Sequence, residues 1–99
     1  MRPAARVQAA IELLDEIIVA ARDKGAAADN IARKFFANRR YAGSKDRRAI
    51  RDHVWDAIRL FGQRPINASA AFATMADQDD VLAELFDGSG YGPAKLEPT

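Results

Sequence analysis

The residues best suited to chemistry in this sequence are a cluster of cationic side chains near its middle. Residues 39–64 contain eight Lys or Arg residues and three Asp residues, a formal charge of +5, whereas residues 65–99 contain one Lys and six acidic residues, a formal charge of −5. Cationic side chains gathered in one segment can contact several phosphates of a nucleic acid at once. Tyr41 lies among them in a predicted loop, where its ring is available to stack on an unpaired base. The cationic members of the cluster are Arg39, Arg40, Lys45, Arg47, Arg48, Arg51, Arg59 and Arg64.

Two simpler interpretations of this cluster stay open. Charged side chains normally solvate the outer face of a helix, and Asp46, Asp52 and Asp56 can neutralise part of the positive charge. The acidic C-terminal third can also face the basic segment within one molecule. The segregation of charge nevertheless favours an anionic partner for residues 39–64.

The other polar residues do not form a recognisable catalytic group. His53 is the only histidine, which excludes a metal site built from several histidines, and a structural role for it is expected. We expect Glu12, Asp15 and Glu16 to be a solvated helix face rather than a converging acid–base pair. The glycine-rich segment 87–92 has neither a strand before it nor a helix after it, so it does not fit a phosphate-binding loop. No catalytic, cofactor-binding or metal-binding residue is therefore predicted.

Length and composition are typical of one globular domain. The chain has 99 residues, of which 48% are hydrophobic and 29% charged. It contains no apolar run long enough to cross a membrane and no secretory signal pattern. The absence of cysteine excludes disulfides and fits a reducing compartment, so we expect a cytoplasmic location.

The hydrophobic spacing predicts helices throughout and no strand. Apolar residues recur at steps of three and four, and four polar residues stand where they can cap a helix start, namely Asp29, Ser44, Asn67 and Asp77. The predicted fold is all-α, a compact bundle of four to five short helices. The predicted helices cover residues 3–23, from the Asp29 cap to near 39, 44–61, 67–75 and 78–86.

Helical winding also predicts where individual side chains point. Arg47 and Arg51 fall on the border of the apolar face of the third helix, next to Trp55, and Arg48 points outward. Arg51 or Arg59 is placed to make a cation–π contact with Trp55.

Adjacent residues on a helix point about 100° apart, which decides the expectation for two further positions. Of Phe35 and Phe36, one is expected in the core and the other at its edge.

We expect residues 1–88 to form the helical domain. Residues 89–99 are expected to form a loop or linker, in which Tyr91 and Leu96 can dock locally.

Three stretches together resemble one protein family. They are residues 3–15 (PAARVQAAIELLD), residues 40–52 (RYAGSKDRRAIRD) and residues 85–96 (LFDGSGYGPAKL). They are similar to the amino-terminal region of bacterial ribosomal-RNA cytosine methyltransferases of the RsmB (Sun/Fmu) type. The leading domain of those enzymes belongs to the NusB-like RNA-binding superfamily. The resemblance spans nearly the whole chain, and its middle stretch is the most specific.

The resemblance implies a NusB-like RNA-binding module that precedes a catalytic domain. That domain would use S-adenosylmethionine to methylate carbon 5 of a cytosine, a reaction that needs a cysteine to add covalently to the base. This chain has no cysteine, so we expect it to be a non-catalytic fragment of the parent enzyme. The implied partners are RNA, in particular small-subunit rRNA, and the C-terminal catalytic domain. The predicted RNA-binding residues are Arg39, Arg40, Tyr41, Lys45, Arg47, Arg48 and Arg51, with Asp46 as an internal partner that orients an arginine.

Two other functions fit the same sequence. In the first, the chain is a helical protein-interaction module that docks on the catalytic domain or another partner, and the arginines only form salt bridges. In the second, it is a helix-turn-helix DNA-binding domain whose third helix enters the major groove after the turn at residues 41–44.

Overall fold

The computed structural model describes residues 1–22, 27–61, 67–88 and 92–93, and these residues form five α-helices with no strand among them. The all-α prediction is therefore confirmed. The helices are α1 (Pro3–Arg22), α2 (Ala28–Ala37), α3 (Ser44–Phe61), α4 (Ala68–Ala76) and α5 (Asp80–Glu84).

Helix α1 is the central element of the bundle. It packs against α2, α3 and α4, while α4 also contacts α3 and carries α5. Of the apolar row predicted for this helix, Val7, Ile11, Leu14 and Ile18 are buried, whereas Ala21 at its end is exposed. Alanines at four further buried positions allow neighbouring helices to approach α1 closely, because a methyl side chain adds little bulk. These alanines are Ala4, Ala5, Ala9 and Ala10.

The two adjacent phenylalanines of α2 are both in the core. Phe35 and Phe36 are each 2% exposed, and their rings meet edge to face with centroids 5.4 Å apart. The prediction that one of them lies at the edge is wrong. The reason is that arginine side chains cover the outer faces of the rings, with the Arg39 guanidinium carbon 3.6 Å from the Phe35 centroid and that of Arg51 5.1 Å from the Phe36 centroid.

The start of α4 is capped by two oxygen acceptors. Asn67 accepts a hydrogen bond from the Ala70 N–H at 2.7 Å, which confirms its predicted role. Asp15 of α1 accepts from the Ala68 N–H at 2.9 Å. Asp15 is half-buried, so the prediction that it belongs to a solvated face is wrong, whereas Glu12 and Glu16 are exposed as expected.

The predicted caps of α2 and α5 are wrong. The residue before α2 is Ala27, which has extended backbone and no side-chain cap, and Asp29 lies inside the first turn. Its carboxylate is nevertheless on the favourable side of the helix dipole. The cap of α5 is Asp79, whose Oδ1 accepts from the backbone N–H groups of residues 81 and 82 at 3.1 Å each. Asp77 instead ends α4, where its N–H donates to Ala73.

The boundary predicted at residue 88 lies beside a closed backbone turn. Gly88 has a φ of 71°, a left-handed conformation that suits glycine, and its N–H donates to the Pro93 carbonyl at 3.0 Å. Pro93 is buried. Residues 89–91 and 94–99, including Tyr91 and Leu96, lie outside the described residues, so the linker stays a prediction. Within the described ranges, the helices are too short or too polar to cross a membrane.

Candidate nucleic-acid interface

The predicted RNA-binding residues lie on the turn between α2 and α3 and on the first turns of α3. The turn leaves α2 through hydrogen bonds from the Arg39 N–H to the Phe36 carbonyl at 3.0 Å and from the Ala42 N–H to the Arg39 carbonyl at 3.1 Å. Ala42 is 2% exposed, so the turn is anchored to the core at its far end. These bonds give the turn one defined path.

Helix α3 starts differently from the prediction. Ser44 is the first residue of the helix rather than its cap, because the Gly43 carbonyl already accepts from the Arg47 N–H at 2.9 Å. The Gly43 N–H donates to the Asp46 carboxylate at 3.2 Å. A carboxylate three residues after the cap that accepts from the cap N–H is the acidic half of a capping box. Asp46 therefore supplies the local start signal that we assigned to Ser44.

Asp46 also ties this turn to the first helix. It is 8% exposed, and its Oδ1 accepts from Arg6 Nε at 2.8 Å, while the Met1 amino group lies 3.5 Å from Oδ2. The hydrogen bond from Arg6 lowers the pKa of Asp46, against the opposing effect of burial, and the bond from Gly43 adds to the lowering. The prediction that Asp46 orients an arginine is confirmed, and that arginine belongs to α1 rather than to the basic cluster.

Two arginines of the cluster are anchored to the protein. Arg39 donates to the Phe35 carbonyl at 3.3 Å and lies over the Phe35 ring. Arg47 donates through Nε to the Ala42 carbonyl at 2.9 Å and lies near the Phe36 ring. Both side chains are half-buried. They satisfy carbonyl groups at the end of α2 and in the turn, so part of the cluster builds the surface that carries the rest.

Four other cations of the cluster are exposed, and in the described ranges they make neither a hydrogen bond nor an ion pair. They are Arg40, Lys45, Arg48 and Arg51. Arg51 lies over Phe36, in agreement with its predicted position at the border of the apolar face. The contact found is thus to Phe36 of α2 and not to Trp55. Tyr41, at the tip of the turn, is 71% exposed.

A shallow, open depression of about 330 Å³, which we call the groove, lies between side chains of the first turns of α3. Its lining carries three arginines and one aspartate, so the local formal charge is positive. The arginines bring N–H donors in a planar arrangement that matches a phosphate group. The groove is lined by Ser44, Arg47, Arg48, Arg51 and Asp52.

Comparison of the chain with protein-family models, with curated proteins and with solved structures found no match. The geometry of the groove and the sequence resemblance therefore carry the interpretation that follows.

One further member of the predicted cluster, Arg59, lies apart from the groove. Arg59 is paired with Asp56 one turn earlier on α3, and both side chains are largely exposed. Arg64 lies outside the described residues. Of the seven cations of the cluster that the structure describes, six therefore lie on the turn or beside the groove.

His53 lies on another face of α3. Its ring packs edge-on against Phe72 of α4, with centroids 6.3 Å apart, and burial lowers its pKa below the usual 6.5. This agrees with a structural role. No group of three or more potential metal ligands comes together among the residues that the structure describes.

Arg6 is the residue of this region that the sequence analysis missed. A signal for it was present, because Arg6 continues the apolar row of Ala10, Leu13 and Ile17 at steps of four, three and four. A cation in line with buried residues needs an anionic partner. The sequence could have indicated that need, but the identity of the partner, 40 residues away, requires the fold.

Proposed function

We propose that this chain is the RNA-binding domain of an rRNA cytosine-C5 methyltransferase, and that it positions the substrate by contacts to phosphates. The observation that carries the proposal is the open groove on α3, beside which lie exposed cations that have no ion-pair partner among the described residues. Surface cations without acidic partners keep their charge available for a polyanion. The three stretches that resemble RsmB-type enzymes support RNA as that polyanion.

The anchored side chains support the same function. Arg47 has its Nε committed to the Ala42 carbonyl, so its remaining N–H groups are held at the groove. A donor that is already fixed loses little conformational entropy when a phosphate binds. Arg48 and Arg51 follow on the same helix and can contact neighbouring phosphates of one strand.

In this proposal, the chemistry belongs to another part of the parent protein. The catalytic domain would bind S-adenosylmethionine and supply the cysteine nucleophile, and the present domain would hold small-subunit rRNA near it in the cytoplasm. The role of the groove is then to raise the local concentration of substrate and to fix its register, as phosphate contacts do in other nucleic-acid complexes.

The proposal is tested by reversing charge inside and outside the groove. The variant Arg48→Glu/Arg51→Glu removes two exposed cations, and Arg33→Glu/Lys34→Glu makes the same change in net charge at exposed positions of α2 outside the basic cluster. In filter binding to a fragment of small-subunit rRNA, we expect the first variant to bind at least roughly tenfold more weakly than the second. Equal affinities for the two variants would show that the groove does not bind RNA.

The same titration separates the two other candidate functions. A DNA-binding domain would prefer a DNA duplex over RNA of the same length, whereas we expect RNA to bind more tightly. A protein-interaction module would bind the separately purified catalytic domain tightly at high salt and would show no RNA affinity.

A further inference from the structure

The tip of the turn between α2 and α3 presents an aromatic ring to solvent. Tyr41 is 71% exposed, although the backbone on both sides of it is held in place. Before it, the Arg39 N–H donates to Phe36, and after it, the Gly43 N–H donates to the Asp46 carboxylate. The Ala42 carbonyl accepts from Arg47. The turn that carries the ring is therefore held by hydrogen bonds on both sides of Tyr41.

These hydrogen bonds bear on affinity, because binding usually requires that loops and side chains become ordered, which costs free energy. Here the backbone bonds and the arginine anchors already restrict the turn, so a ligand that covers the ring loses less free energy to ordering. An exposed tyrosine ring offers a flat face on which a planar ligand can stack. The chemistry of its surroundings then decides which planar ligand fits best.

The surroundings of the ring are cationic. Arg40 precedes it directly, and Lys45 and Arg48 are exposed close by in the chain. The Cα atoms of Tyr41 and Ser44 can be at most roughly 11 Å apart, because each trans peptide spans about 3.8 Å. Ser44 lines the groove, so one nucleic-acid strand can reach the ring and the groove together.

We propose that Tyr41 is a stacking platform for one unpaired base of an RNA strand whose phosphates contact Arg40, Lys45 and Arg48. This inference rests on the proposed RNA-binding function and adds the class of substrate, a single-stranded or looped segment. In an RNA duplex the faces of the bases are covered by their neighbours, and the ring cannot reach them without unstacking a base. A duplex can therefore use the cations but not the ring.

The test compares single-stranded RNA with a duplex of the same length at the same salt concentration. The variants are Tyr41→Ala, which removes the ring, and Tyr41→Phe, which keeps it. Val81→Ala is the matched control, because Val81 is equally exposed, at 72%, on α5. For single-stranded RNA we expect Tyr41→Ala to weaken binding by roughly 5- to 150-fold, the range for loss of one stacked base. For the duplex we expect little change, and Tyr41→Phe and Val81→Ala should bind both RNAs like the wild type.

An equal effect of Tyr41→Ala on both RNAs, or no effect on either, would overturn the inference. The charge-reversal variant Arg48→Glu/Arg51→Glu distinguishes this failure from a failure of the proposed function. If that variant loses RNA affinity while Tyr41→Ala does not, the groove binds RNA and the ring serves another partner, such as a protein surface. If neither variant loses affinity, the RNA-binding function itself is wrong. Circular dichroism of each variant confirms that the helices are retained.

Discussion

The salt dependence of RNA binding tests which cations of the basic cluster contact phosphates and which are bonded to the protein itself. Four cations are exposed and unpaired within the described residues, and Arg47 lines the groove with its Nε already committed. Each phosphate contact to single-stranded RNA contributes about −0.7 to the slope of log K against log salt concentration. Four or five contacts therefore predict a slope of about −3.

Single substitutions then separate the free cations from the anchored ones. Arg48→Gln removes one exposed cation, so we expect the slope to become shallower by about 0.7. Arg39→Gln removes the same charge, but the Arg39 guanidinium is bonded to the Phe35 carbonyl and stacked on its ring. We expect that variant to keep the slope and to lose stability instead, by about 1 kcal/mol.

The measurements are fluorescence-anisotropy titrations with labelled RNA over a series of salt concentrations, together with urea unfolding of each variant. The two variants are controls for each other, because each replaces one arginine by glutamine and so makes the same change in charge and side-chain type. If Arg39→Gln shallows the slope as much as Arg48→Gln does, Arg39 contacts phosphate in the complex and the division drawn from the structure is wrong.

Two other predictions concern stability. Asn67→Ala and Asp15→Ala each remove an oxygen that accepts a hydrogen bond from the first turn of α4. We expect each variant to lower the free energy of unfolding, measured in urea titrations, by about 1 kcal/mol. The control Ser69→Ala, at an exposed position of the same turn, should have little effect. Burial lowers the pKa of His53 below 6.5, against the opposing effect of Asp56 and Asp52, so the unfolded chain binds that proton more tightly. The contribution of neutral His53 to the free energy of unfolding is complete above about pH 6.5 and is lost as the pH falls through the lower folded-state pKa. In His53→Gln, the urea midpoint should therefore depend less on pH in this interval than it does in the wild type. An unchanged pH profile in that variant would show that another group causes the dependence.

The extent of the helices follows from local signals, which is why it could be predicted. Hydrophobic spacing in α1 and α3 is regular over many turns, and these helices begin at residues 3 and 44 as expected, although Gly43 rather than Ser44 is the cap of α3. Asn67 caps α4 because its side chain reaches an N–H only three residues away. The errors at α2 and α5 have different causes. At α5 more than one Asp could cap, and the cap is Asp79 rather than Asp77. At α2 the helix begins one residue before Asp29, after Ala27, and no side chain caps that start.

Contacts between residues far apart in the chain could not be predicted from the sequence. Asp15 and Ala68 are 53 residues apart, and Arg6 and Asp46 are 40 apart. Each carboxylate looked like part of a solvated face or a local partner until α1 was placed beside α3 and α4. Burial of Phe36 has the same origin, since its outer face is covered by arginines of α3.

The basic cluster shows how far composition can mislead about a binding surface. All eight cations of residues 39–64, taken as phosphate contacts, would give a slope of about −5.6 with single-stranded RNA. The structure commits Arg39 to the end of α2, pairs Arg59 with Asp56 and fixes Nε of Arg47 on the turn. Arg39 and Arg59 therefore stabilise the fold, whereas Arg47 keeps its other N–H groups at the groove beside the exposed cations. A measured slope near −3 would thus support the proposed groove and would also show that part of the positive charge serves the fold.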